Sequence, residues 1–149
     1  MRAVVQRVRA CAVHVGGVRV GSVNDGLLVY LGVSVDDHSA DATYLATKVL
    51  NLRIFADDDR KMNLSALDLK KEILVVSQFT LFGDARKGRR PSYTNAAKPE
   101  IAKALCDEFV QSLRSNGAQT EEGSFGSIMD VSYTNHGPVT ILLDSKKLF

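Results

Sequence analysis

Two short stretches of this chain carry residue types and spacings that suit chemistry. The first is Ser77-Gln78-Phe79-Thr80, where the apolar run "EILVV" turns polar. Polar residues at the end of a central strand leave main-chain groups free to contact a ligand, although a strand finishing in solvent reads the same way. The second is Gly137-Pro138, which interrupts two strand-like runs in "VSYTNHGPVTILLD". Glycine before proline removes the Cβ clash that otherwise restricts this position, and an X-Pro bond adopts cis at a cost of only about 0.5–1 kcal/mol. A cis bond there would turn two successive carbonyl oxygens the same way, giving a rigid pair of acceptors without any side chain. A plain bend in an edge strand is the alternative, since proline cannot donate to the ladder.

Other candidates are thinner. "ARKGRRPS" places Arg86, Lys87, Arg89 and Arg90 around Gly88, a cluster of forked donors suited to phosphate oxygens or simply a solvated loop. Asp57-Asp58-Asp59 lacks the spacing of a calcium loop and reads as a turn. His14 sits within an alternating strand pattern, His38 at a helix start and His136 beside Gly137. No GxSxG, HExxH, GxGxxG or P-loop motif occurs. Cys11 and Cys106 form neither a disulfide framework nor a Cys/His zinc cluster. No metal or cofactor is expected, and chemistry here has to rest on something other than a conventional side-chain base.

The elements that must position these residues are legible in outline. "AVVQRV", "AVHV", "VRVGSV" and "LLVYLGV" read as strands, separated by the hairpin-turn signals Gly16-Gly17 and Asn24-Asp25-Gly26. "GLLVYLGV" barely alternates and is expected to be buried on both faces. A helix follows with Asp37 or Ser39 as N-cap, its inner side marked by Leu45, Lys48/Val49 and Leu52. "RIF" resumes strand character, "ADDDRKMN" is a polar loop, and "EILVVSQFTLF" is the most strand-like run. A second helix is predicted from Pro99 to Asn116-Gly117, with Ile101, Leu105, Phe109 and Leu113 on its apolar face. Two final strands, "IMDVSYTN" and "VTILLD", flank Gly137-Pro138. The expected architecture is a single mixed-sheet α/β domain over residues 1–149, two β layers with two helices packed on one side.

Composition fits that picture: 149 residues allow one real core but not two. The net charge of +2 means that a nucleic-acid partner has to be met by a local patch. The N-terminus alternates charged and apolar residues rather than forming a leader, and no run is long enough to cross a membrane. A cytoplasmic location is the expectation.

These segments also occur together and in order. "KMN" (Lys61–Asn63), "SQFTL" (Ser77–Leu81), "KGRRPSY" (Lys87–Tyr93) and "NHGPVT" (Asn135–Thr140), with the opening "MRAVVQRV" and "GLLVYLGV", make the sequence closely resemble the D-aminoacyl-tRNA deacylase family over essentially the whole chain. The resemblance implies a homodimeric hydrolase of the ester between a D-amino acid and the terminal adenosine of tRNA. It implies that Gly137-Pro138 is cis, reaches into the partner subunit's site and rejects L-amino acids by main-chain contact, while glycyl-tRNA leaks through. It implies that Ser77, Gln78, Phe79 and Thr80 form the catalytic half of the pocket, with the tRNA 2′-hydroxyl assisting and Thr80 positioning. Phe125 and Met129 become its wall, with core packing as their alternative, and Arg86, Lys87, Arg89 and Arg90 become contacts to the acceptor end. His136, Arg60 and Ser127-Ile128 depart from the family pattern, which usually has Asp, Gly and Ala-Asp there. Two other readings stand beside this one: a noncatalytic nucleic-acid-binding protein on the same scaffold, and an esterase with Thr80 as nucleophile.

Overall fold

In a computed structural model describing residues 1–149, a five-stranded mixed sheet carries both helices on one face. Strand β1 (Arg2–Val15) and strand β2 (Val18–Gly32) form a long antiparallel hairpin. Gly16 and Gly17, at φ 55° and 83°, make the turn that the sequence signals. Helix α1 (Ser39–Asn51) leads to a small separate hairpin of β3 (Phe55–Ala56) and β4 (Met62–Leu64). Strand β5 (Glu72–Ser77) then pairs parallel to β2, and a 3₁₀ turn spans Phe79–Phe82. Helix α2 (Pro99–Ser115), β6 (Thr120–Glu122) and β7 (Asp130–Asp144) complete the chain, giving the sheet order β6-β5-β2-β1-β7.

The core explains the helices. Ala3, Val5, Leu27, Val29, Ile73 and Val75 on one face of the sheet pack against Leu45 and Val49 of α1 and Leu105, Phe109 and Leu113 of α2. Leu28, Leu74 and Val76 point to the other face and join Val8, Cys11 and Val13 in a smaller cluster. "GLLVYLGV" is therefore buried on both sides, as its lack of alternation predicts. The step from Val8 to Cys11 breaks the period of two at Ala10, which sits at φ 48° beside a shift in the β1–β7 register.

Several expectations need correction. Asn24-Asp25-Gly26 is not a turn; β2 runs straight through it. Gly26 serves close approach, because a Cβ there would lie 1.9 Å from the Glu72 carbonyl oxygen, and Asp25 pairs instead with Lys71. "AVVQRV" and "AVHV" are one strand, and so are the two final runs. "SQFTLF" is not strand, since β5 ends at Ser77 and the 3₁₀ turn follows. The α1 cap is His38, with the Asp41 carboxylate accepting its N–H at 2.9 Å. Asp37 is engaged elsewhere, accepting from the Ser34 N–H at 2.6 Å and from the Met1 amine at 2.5 Å. Ile101 is 51% exposed, one turn beyond the part of α2 that covers the core. Arg60, where the resemblance leads one to expect glycine, occupies φ 63° and keeps a left-handed turn in the β3–β4 hairpin.

Candidate active site

At the C-terminal end of β5 the chain leaves the sheet, and a cleft of about 680 Å³ opens between that end, the start of α2 and the segment 125–131. Ser77, Gln78, Phe79, Phe125 and Met129 all line it, so five residues singled out from sequence converge. Its walls are otherwise apolar, with Ala97, Ala102 and Cys106 contributed by α2 and the chain before it. Thr80 opens instead onto an adjoining cleft of about 440 Å³, shared with Val4, Tyr30 and Leu81. Gln78, Met129 and Val131 line both, and so form the ridge between them.

The polar groups at this ridge are mainly main-chain. Gln78 donates its N–H to Leu31 O at 2.8 Å, continuing the β5–β2 ladder by one step. Phe79 and Thr80 stand at the head of the 3₁₀ turn, where the first N–H groups have no partner within the turn itself. The Thr80 hydroxyl accepts a hydrogen bond from the Gln78 side-chain amide, a group that takes up no proton at neutral pH. No histidine lines either cleft. Burial first, then Tyr133 beside it, push the Tyr30 phenol up, so it stays a neutral hydroxyl. Burial likewise pushes the Cys106 thiol up to about 12, which leaves it protonated and inert in the cleft wall.

Phe125 and Met129 fit both readings left open by the sequence. Each packs on a core cluster and also lines the cleft, and the Met129 sulfur accepts the Ser124 N–H at 3.3 Å. The departing Ser127 ties this segment through its hydroxyl to Ser124 at 2.8 Å, whereas Ile128 projects 93% exposed into solvent. Among the lining residues, Ala97, which lacks any chemistry of its own, carries no prior signal, and Tyr93 closes the motif "KGRRPSY" without having been given a role. The Tyr93 ring stands edge-on to Phe79 at 5.0 Å and braces it.

Gly137 and Pro138 line neither cleft. They sit exposed on an excursion of β7, and the peptide bond between them is cis. Gln6 pairs with Thr140 and Val8 with Asn135, so His136 to Val139 stand opposite Arg7 alone. Arg7 fastens this excursion, donating Nε to His136 O at 3.0 Å and Nη1 to Ile54 O at 2.6 Å. Sequence reasoning missed Arg7, although a signal existed: it follows Ala3 and Val5 in the inward alternation, where a charge needs a partner. Gly137 lies at φ 132°, and a Cβ would meet Val139 Cγ2 at 2.7 Å and Arg7 Nη2 at 2.9 Å.

The basic loop is pinched shut by paired N–H···O bonds between Asp84 and Ser92 at 2.8 and 2.9 Å. Arg86 is turned back onto Asp84, at 2.9 and 2.6 Å from its two oxygens, and holds that carboxyl well below the usual range. Lys87, Arg89 and Arg90 are exposed and make no ion pair. No three His, Cys, Asp or Glu side chains converge to hold a metal, and no helix is long and apolar enough to cross a membrane.

A mixed sheet whose parallel strand β5 ends at a largely apolar cleft is the arrangement the site presents. Comparison with known proteins gives the class. The family described as "D-Tyr-tRNA(Tyr) deacylase" matches residues 4–144. A relative named D-aminoacyl-tRNA deacylase, from Thermosipho africanus (strain TCF52B), is 57% identical over 149 residues, all of both chains. One from Clostridioides difficile (strain 630), of the same name, is 56% identical over the full length of both. A solved structure described as "c-Myc DNA Unwinding Element Binding Protein" superposes with a TM-score of 0.92 at 39% identity, covering 97% of this chain and 98% of that one. The chain belongs to the D-Tyr-tRNA(Tyr) deacylase family. It is an ester hydrolase acting on D-aminoacyl-tRNA.

Proposed function

We propose that residues 1–149 form one catalytic domain of a cytoplasmic homodimer that removes D-amino acids, and glycine, from tRNA while sparing L-amino acids. The observation that carries this reading is the position of the Phe79 and Thr80 N–H groups, at the head of the 3₁₀ turn and beside the ridge between the clefts, where the turn's own bonds leave its first N–H groups free. They would polarise the ester carbonyl as an oxyanion hole does. Water adds to that carbon, the ester C–O bond breaks, and the products are the free amino acid and a tRNA with its terminal hydroxyl restored. The neighbouring 2′-hydroxyl of the tRNA is the group available to relay the proton, because the chain offers no base beside Thr80. Ser77 and Gln78 hold the ridge in register, and Phe125 and Met129 enclose the terminal adenosine in the larger cleft. Lys87, Arg89 and Arg90, with Arg86 less free, contact phosphates of the acceptor end.

In this reading Gly137 and Pro138 offer their carbonyl oxygens to the substrate ammonium from the second subunit. Within one chain they lie outside both clefts, and the smaller cleft exposes Val4, Tyr30 and Leu81 on a sheet face that a second copy would cover. An L side chain would then be driven against main chain that cannot yield, whereas glycine has nothing to clash.

Hydrolysis of matched D- and L-tyrosyl-tRNA with glycyl-tRNA alongside tests the reading. Rapid loss of the D and glycyl esters with the L ester spared is expected; equal loss of D and L rules the filter out. Thr80→Ala is expected to keep activity within about tenfold, whereas an acyl-enzyme route through Thr80 requires its disappearance. The third reading, pure nucleic-acid binding, draws on the exposed cations and on the described DNA binding of the 39%-identical neighbour. Absence of all hydrolysis would favour it.

A further inference from the structure

We propose that Asn135, Thr140 and Gln6 form a clasp that fixes Gly137-Pro138 in position and thereby sets how sharply the enzyme separates D from L substrates. The inference rests on the function proposed above and assigns it three positioning residues. Between Asn135 and Thr140 the β1–β7 ladder is interrupted, and four residues bulge past a single partner. Such an excursion lacks the ladder bonds that hold a strand still, so something else must fix it.

Three hydrogen bonds close its base. The Asn135 carbonyl oxygen Oδ1 accepts the Val139 N–H at 3.2 Å, folding the return limb onto the outgoing one. Asn135 Nδ2 donates to Thr140 Oγ1 at 3.1 Å. Gln6 Nε2 donates to the same oxygen at 3.1 Å from the neighbouring strand. Thr140 Oγ1 is therefore the point where both limbs and β1 are tied together. Arg7 grips the inside of the bulge at His136 O, but nothing about that contact fixes the limb after Pro138.

A rejecting surface works only if it does not move. Discrimination depends on the loop refusing to retreat from an L side chain, whereas turnover of a D ester asks much less of it. Thr140 is exposed and Asn135 half-buried, so losing these bonds costs the fold little while loosening the loop.

The test compares Thr140→Val, Asn135→Ala and Thr140→Ser with the unsubstituted protein, using rates of D- and L-tyrosyl-tRNA hydrolysis and thermal melting. The expected result is a rise in L-ester hydrolysis in Thr140→Val and Asn135→Ala, lowering the D-to-L rate ratio by about tenfold, the factor one hydrogen bond can supply. Thr140→Ser, which keeps the oxygen, restores the ratio, and melting shifts little in all three. Variants that discriminate as sharply as the parent overturn the clasp alone. So do variants that lose both rates together with their melting transition, because the bonds are then merely structural. A parent protein that does not discriminate overturns the clasp together with the function on which it rests.

Discussion

At the scale of single residues, the proposed mechanism rests on what the main chain offers and on what small side chains permit. Gly137 is the sharpest case. At φ 132°, a region L side chains rarely adopt, with Val139 Cγ2 and Arg7 Nη2 within 3 Å of any added Cβ, alanine strains the backbone and pushes those side chains aside. Gly137→Ala is expected to lower D-tyrosyl-tRNA hydrolysis by about a hundredfold, corresponding to ~3 kcal/mol of strain and misplacement. An unchanged rate would sink the assignment of this residue to the filter. Cys106 illustrates the opposite, a residue with chemistry that the site does not use. Its thiol, pushed up to about 12 by burial, should resist iodoacetamide at pH 7.5 in the folded protein. Mass spectrometry should find it alkylated only after denaturation; fast native labelling would contradict its burial in the cleft wall.

At the scale of elements, close approach between β2 and β5 matters most, because β5 delivers Ser77 and Gln78 to the ridge. Gly26 makes that approach possible, with Glu72 O only 1.9 Å from where a Cβ would stand. Gly26→Ala is expected to cost at least about 3 kcal/mol, read as a lower urea midpoint, with activity falling as the ridge shifts. A midpoint within experimental error of the parent would mean that the strands separate easily. The sequence conceals this role: Asn24-Asp25-Gly26 has the composition of a hairpin turn, and only the arrival of a parallel partner 46 positions away, from Gly26 to Glu72, makes its glycine a packing residue. β7 hides its nature for a related reason. Gly137-Pro138 breaks the local pattern of β7, but the ladder with β1 resumes beyond it and makes one strand of two runs.

At the scale of the whole molecule, charge acts at two places outside the clefts. Asp41 is buried, which alone would raise its carboxyl. Hydrogen bonds from Lys146, Ser145 and the His38 N–H outweigh burial and hold it well below the usual carboxylate range, while Asp41 in turn pushes Lys146 up. The depressed acid contributes stability above its unfolded value near ~3.9, lost as pH falls below that. The raised base contributes below its unfolded value near ~10.4, lost as pH rises through the folded one. Melting temperature should therefore hold between about pH 5 and 9 and fall on the acid side. Asp41→Asn should be less stable at pH 7 and lose less below pH 4. At the basic loop, replacing Lys87, Arg89 and Arg90 together by alanine should weaken tRNA binding and reduce the salt dependence of log K by about 2. An unchanged salt slope would place the phosphates elsewhere.

The sequence by itself determined the helices, because periodicity, Pro99 and Asn116-Gly117 are local signals that packing only confirmed. It also determined most of the strand-rich segments, though not β4, β6 or the course of β2 through Asn24-Asp25-Gly26, and the convergence of Ser77–Phe79 with Phe125 and Met129, the latter through motif resemblance rather than spacing. The tertiary structure alone decided three things. It ended β5 at Ser77 and made "FTLF" a 3₁₀ turn, since β5 has no partner to pair with past Ser77 and Gln78. It placed Thr80 over a second cleft, and it set Arg7 and Thr140 beneath Gly137-Pro138. Each depends on contacts between residues distant in the chain, and such contacts leave no local trace in residue type or period.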